Sequence, residues 1–165
     1  MKEVIIDFFN NNANMILFIH VMGAMVWVGG MIAIRFAVHP VLQQIEDSNI
    51  RLSKTLNIMK NFFNIVKVFI GLIVLSAVFM AVGLGFKESD PMLYQVVHIK
   101  EAIWTIMTIL FTIMYLRRNK AEKYFISGDL SGAKEQLMPL SKWMIPLNIA
   151  LGLFALILGG VLRGF

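Results

Sequence analysis

The sequence contains no cysteine, which excludes disulfides, iron–sulfur clusters and thiolate metal sites. Charge is scarce as well. Asp, Glu, Lys and Arg make up 15% of the chain, against about 25% in soluble domains. What replaces them is apolar: 58% of residues are hydrophobic, where a soluble domain has roughly 45–50%. With a mean hydropathy of +0.75, an ordinary soluble domain is excluded and an integral membrane protein is expected. The 165 residues amount to one domain, with little chain left for soluble appendages. The net charge of +5 does not call for nucleic acid, because the basic residues cluster beside apolar runs and so read as membrane orientation.

A membrane-crossing helix needs about 20 mostly apolar residues. Four segments qualify, at about 13–38, 62–86, 92–116 and 140–162. The reading is therefore an all-α, four-helix transmembrane bundle forming a single domain over residues 1–165. The first span is too long for a signal-peptide core and has no small-residue cleavage site before the next segment, so it is expected to be retained. Residues 1–12 read as a short interfacial segment, with Asn10, Asn11 and Asn12 available to cap the first helix.

The connectors are informative. In the first, Ile45, Leu52, Leu56, Met59 and Phe63 recur at helical spacing, which predicts an amphipathic helix running into the second span. Lys87 to Pro91 reads as a tight turn, with Asp90 capping the third helix and Pro91 in its first turn. Ser127-Gly128-Asp129 reads as another turn, followed by a short helix capped by Ser131. Arg35, Arg51, Lys54, Lys60, Arg117, Arg118, Lys120, Lys123, Lys134 and Lys142 fall on one side of the bundle, and Lys2, Lys87 and Arg163 on the other. Ten against three is a positive-inside bias, which puts both termini on the outer, periplasmic side of a bacterial inner membrane. Lys67 lies about one turn inside the second span from the basic side, where it can snorkel.

Two histidines stand out. His20 lies about 10 Å along its helix from Ala13, and His98 about 9 Å along its helix from Met92, at 1.5 Å per residue. Ionisable side chains at membrane depth are functional candidates by default, and imidazole is the usual axial ligand of haem iron. Both helices run inward, so both rings are expected to meet one object in the outer leaflet. The segment from His20 to Trp27 is echoed by His98 to Trp104, which suggests a parallel repeat of helices one and two in helices three and four.

His20, Gly23, Trp27 and Gly30 share a face of helix one. His98, Glu101, Thr105, Thr108 and Thr112 form a polar face on helix three. Trp27 and Trp104 lie deep in their spans and read as lining one pocket or stacking near it. Lys100 points roughly opposite His98 and either snorkels or reaches a carboxylate such as a haem propionate. Glu101 is a proton relay or an imidazole partner, and Arg163 a distant candidate for a propionate. His39, beside Pro40, reads as interfacial. The stripe Asn148, Gly152, Ala155 and Gly159 reads as a packing seam. The 12 methionines admit a copper reading, since thioether is a soft Cu(I) ligand. They also serve as core filler, and Met22 and Met25 share a face that His20 does not occupy.

The run His20…Trp27-Val28-Gly29-Gly30…Arg35…His39 resembles the first helix of the HemJ-type protoporphyrinogen oxidases and of the related CopD-type membrane domains. His98-Ile99-Lys100 resembles the His-x-Lys signature that opens a later HemJ-type helix, and Arg117-Arg118-Asn119 the close of the corresponding CopD-type helix. The resemblance covers about half the chain. It implies a b-type haem with His20 and His98 as axial ligands and Lys100 as a functional neighbour. The chain departs from the HemJ type at Ala33-Ile34-Arg35, where that family has Leu-Pro-Arg, and at Ser141 to Pro146, where its Asn-Glu-x-Pro motif would stand.

The expected function is therefore haem b binding by His20 and His98, with Gly23, Trp27, Lys100, Glu101 and Thr105 around the cofactor. Redox exchange with a quinol or a porphyrinogen in the bilayer is the expected activity, with HemJ-like oxidation as one form of it. A copper-handling, CopD-like protein and a non-catalytic assembly or scaffold subunit stay open as alternatives. Membrane lipid is the expected surrounding partner, and the glycine seams permit a homodimer.

Overall fold

The computed structural model describes residues 2–83 and 91–161, and among these every element is helical. Helix α1 (Lys2–Ala33) leads through a π-helical turn (Ile34–Val38) into the short α2 (His39–Gln43). Helix α3 (Ser48–Gly83) and helix α4 (Pro91–Ile126) follow. Helix α5 (Leu130–Pro139) passes through a second π-helical turn (Leu140–Met144) into α6 (Ile145–Val161). Four continuous helical stretches are long and apolar enough to cross a membrane: Glu3–Gln43, Ser48–Gly83, Tyr94–Ile126 and Leu130–Val161. They close into a ring in which α1 packs on α3, α3 on α4, α4 on α6 and α6 on α1. Helices α1 and α4 are thus diagonal neighbours. The expected turn at Lys87–Asp90, the Asp90 cap and Arg163 lie outside the described residues.

The asparagine run does not end an element. Helix α1 continues through it and bends at Asn12 (φ −128°, ψ 17°), whose Nδ2 donates to the Phe8 carbonyl at 2.9 Å. Helix α3 starts in the first connector, where Asp47 Oδ1 accepts from the backbone N–H of Asn49 at 2.7 Å and of Ile50 at 3.1 Å. Leu52, Leu56, Met59 and Phe63 are buried along one stripe of it. At 36 residues, α3 and α4 are each about 54 Å long. Both exceed a hydrocarbon core of about 30 Å, so their polar ends project from it and α5 packs against this extension. Gly128 turns the chain at φ 83°, a conformation open to glycine at little cost. Asp129, rather than Ser131, caps α5, its Oδ1 accepting from Gly132 N at 2.8 Å.

The two π-helical turns share a cause. Each covers five residues and ends two positions before a proline, Pro40 in one case and Pro146 in the other. Proline lacks an N–H and its ring clashes with the carbonyl four residues back. Widening the turn relieves that clash: His39 N bonds to Ile34 O, and Ile145 N to Leu140 O. The helices therefore pass both prolines without breaking.

The core is aromatic at its centre. Phe63, 1% exposed, meets Phe111 edge-on at 5.3 Å, and Phe111 meets Trp27 edge-on at 5.9 Å. Where the bundle leaves the apolar layer, Arg118 is 2% exposed and ties α4 to α3. Its Nε and Nη2 both donate to the Leu56 carbonyl, at 3.2 and 3.1 Å. Nη1 donates to Glu122 Oε2 at 2.7 Å and to Asn119 Oδ1 at 3.1 Å, while Nη2 reaches Glu122 Oε1 at 3.0 Å. The guanidinium holds the Glu122 carboxyl below the usual carboxylate range. Lysine cannot reproduce this planar fork. Arg118→Ala is expected to cost about 1–3 kcal/mol, because it leaves the buried Leu56 carbonyl without its donors. Arg118→Lys should recover less than half of that in denaturant unfolding in detergent micelles.

Candidate functional site

The polar centre of the bundle is built from helices that are otherwise apolar. On α1, His20 is half-buried and its Nδ1 lies 3.0 Å from Ser76 Oγ on α3. The direction of this bond follows from the serine. Ser76 Oγ lies 2.7 Å from the Leu72 carbonyl and 2.9 Å from that of Ile73, so its proton is committed to its own helix. The hydroxyl then accepts from His20 Nδ1–H. That fixes the neutral tautomer with its lone pair on Nε2, which is the form that ligates a metal or accepts a proton.

Lys100, on α4, is close enough for its ammonium charge to act on the His20 ring. It is half-buried and turned toward α6, where a side chain at Gly159 would stand 3.2 Å from Nζ. One residue from each spanning helix therefore contributes: His20, Ser76, Lys100 and Gly159. A cation and a lone-pair nitrogen in one apolar bundle can hold an anionic group next to a ligand or base.

His98 lies on the other side of α4. Two residues separate it from Lys100, which is about 200° around a helix. Its side chain is 53% exposed, with Nδ1 2.9 Å from Glu101 Oε2 and the Tyr94 ring edge-on at 4.3 Å. Here too Nδ1 faces an acceptor oxygen, and Nε2 has no hydrogen-bond partner among the described residues. The structure thus gives two imidazoles, each steered at Nδ1 by a neighbour, but it turns Lys100 rather than His98 toward His20. For both rings of one copy to grip one iron, α4 would have to turn about half a revolution.

The remaining candidates divide in the same way. Gly23 is turned to α3, where a Cβ would stand 2.7 Å from Ile73 Cγ1, so it sets the close approach of α1 and α3 beside His20. Trp27 is 2% exposed in the aromatic core. Trp104 instead lines a groove with Thr105, Thr108 and Thr112, so the two tryptophans do not share a pocket. Thr105 is exposed and donates to the Glu101 carbonyl at 2.8 Å. Thr108 and Thr112 likewise bond carbonyls of their own helix, both at 2.9 Å. Asn148 is fully buried and donates to the Met107 carbonyl at 3.1 Å, while Gly152 receives Val28 and Met107. The seam expected on the last helix is therefore a packing seam. Sequence reasoning missed Ser76, although it is the one hydroxyl residue between Phe62 and Phe86.

Among the described residues, no three His, Asp or Glu side chains converge as a metal-binding group. The donor chemistry fits a b-type haem at His20, where an imidazole with an anchored Nδ1 stands beside a cation able to take a propionate. It does not fit a haem sandwiched by His20 and His98 of the same copy. The chain matches no family model, no curated protein and no solved structure.

The tautomer assignment is directly measurable. In protein labelled with ¹⁵N-histidine, His20 should show a protonated Nδ1 and an unprotonated Nε2. Ser76→Ala should shift the ring toward a mixture of tautomers while leaving His98 unchanged.

Proposed function

We propose that this chain is a b-type haem-binding, multi-pass membrane protein with a redox role. His20 is its protein ligand and Lys100 the partner of a haem propionate. The observation that carries this reading is the His20 imidazole held at Nδ1 by Ser76, with Nε2 free at membrane depth beside Lys100. The likeness of His20…Trp27…Arg35 and His98-Ile99-Lys100 to HemJ-type sequences supports it, and that likeness makes a porphyrinogen or a quinol the substrate class.

When bound, the haem would supply one-electron oxidation and reduction. The chain's own residues supply position and protons. Ser76 keeps the His20 ring in the ligating tautomer, as a neighbour of a metal-bound imidazole commonly does. Gly23 keeps α1 and α3 close enough for that bond. Lys100 holds negative charge that bare hydrocarbon would exclude. On the opposite side of α4, His98 Nε2 accepts a proton from an O–H or N–H donor arriving through the lipid, and Glu101 steadies the imidazolium that results. Trp104 and the threonine ridge below it form the wall along which such a donor approaches.

The orientation that accompanies this reading is a bacterial inner membrane with both termini periplasmic and the two basic connectors in the cytoplasm, from the excess of Lys and Arg on that side.

The test is a haem titration of the full chain in mild detergent. Stoichiometric binding with a Soret band is expected. His20→Ala should abolish it, and Lys100→Gln should weaken it about ten-fold, as loss of a charge-assisted hydrogen bond does. His98→Ala should leave the band in place and slow reduction by a quinol. Absence of a Soret band in the wild-type protein would remove the cofactor from the account.

A further inference from the structure

The basic side of the bundle carries a feature that the redox site does not use. Helices α3 and α4 pack less extensively than α1 and α3, and a groove of about 220 Å³ opens between them. It is lined by Lys67, Ile70, Thr108, Phe111, Thr112 and Tyr115. Its cation is at one end. Lys67 is exposed, and its Nζ leans across to α4, 4.6 Å from the centroid of the Tyr115 ring. Lys67 lies five residues inside the second apolar run and Tyr115 one residue short of the end of the third. The ammonium therefore sits where the hydrocarbon gives way to headgroups, the level at which tyrosine and snorkelling lysine gather.

Other groups in the groove are already satisfied. The Thr108 and Thr112 hydroxyls bond their own helix. Arg118 and Glu122, a turn or two further out, engage each other. Among the described residues, no carboxylate lies within ion-pair distance of Lys67. Lys60, seven residues earlier on the same face of α3, adds a second exposed cation two turns toward the connector. The surroundings of the Lys67 ammonium thus carry a net positive charge, and the walls leading away from it are Ile70 and Phe111.

We propose that this groove binds an anionic phospholipid from the leaflet on the side of the basic connectors. Lys67 takes the phosphate, and an acyl chain lies between Ile70 and Phe111. The apolar walls select a lipid over a free phosphate, which would meet one lysine and hydrocarbon. The second cation selects an anionic headgroup over a zwitterionic one, which would bring its own ammonium against Lys67 and Lys60. A basic pocket between spanning helices is a recurrent form of lipid headgroup site.

The test is native mass spectrometry of the delipidated full chain. The protein is offered equal amounts of phosphatidylglycerol and phosphatidylcholine with identical acyl chains. Phosphatidylglycerol adducts should dominate. Lys67→Gln should reduce them about five-fold, the effect of one interfacial lysine, and Lys67→Arg should retain them. Thr112→Trp, which fills the groove but keeps the charge, should also reduce them. Lys54→Gln, an exposed cation on the connector part of α3, should change nothing. Glycerol phosphate without acyl chains should not compete. Equal retention of the two lipids, unchanged phosphatidylglycerol binding in Lys67→Gln, or displacement by glycerol phosphate would each overturn the proposal. None of these outcomes depends on haem.

Discussion

The bilayer interior contains no water to satisfy a polar side chain, and this constraint organises the protein. Each polar group carried into the apolar layer must find a partner there, at a cost of several kcal/mol if it does not. Ser76 returns its proton to α3 and uses its oxygen for His20. Thr105, Thr108 and Thr112 close on carbonyls of their own helix. Asn148 crosses to the Met107 carbonyl. Arg118 spends its whole fork on Leu56, Asn119 and Glu122. Against this background, the described residues still leave some capacity unused: Trp27 Nε1, Trp104 Nε1 and Asn148 Oδ1 are buried without a partner, and His20 Nε2, the Lys100 ammonium, the His98–Glu101 pair and Lys67 are the titratable groups that keep some.

Helix α4 divides the chemistry in two. Lys100 faces the bundle, toward His20 and Gly159, whereas His98 and Glu101 face outward two residues away. The proposed cofactor ligand on one side and the His98–Glu101 pair on the other are separated by the thickness of a single helix. Such a layout keeps the Lys100 cation and the His98–Glu101 pair on opposite sides of α4. The packing that holds it is tight on the α1–α3 side, where Gly23 admits Ile73 and Gly30 admits Phe62. It is looser between α3 and α4, where the basic-side groove opens.

Much of the architecture was legible in the sequence because hydropathy over some 20 residues reports helix crossing directly. The Leu52–Leu56–Met59–Phe63 stripe likewise announced that α3 begins in the connector. Local details were less legible. Three asparagines favour caps, yet Phe9 packs against Gly83 beyond them, and α1 is carried through with a bend at Asn12. Pro40 and Pro146 signal interruption, yet a single widened turn before each accommodates the ring. At the site, position along a helix could be read, counted from the ends of the spans. Rotation about the helix axis could not, because it is set by packing against neighbours. That is why the α4 charge that reaches His20 is that of Lys100, and why the partner of the ring, Ser76, is a lone hydroxyl that the apolar pattern does not single out.

The account rests on that rotation of α4, and the absence of native cysteine makes it open to a clean measurement. The pair His20→Cys with Lys100→Cys and the pair His20→Cys with His98→Cys can each be treated with a short thiol cross-linker in membranes. Cross-linking is then read within single chains. Efficient cross-linking of positions 20 and 100, with little between 20 and 98, is the predicted result. The reverse pattern would contradict the account, turning His98 toward His20 and restoring an iron held between two histidines of one copy.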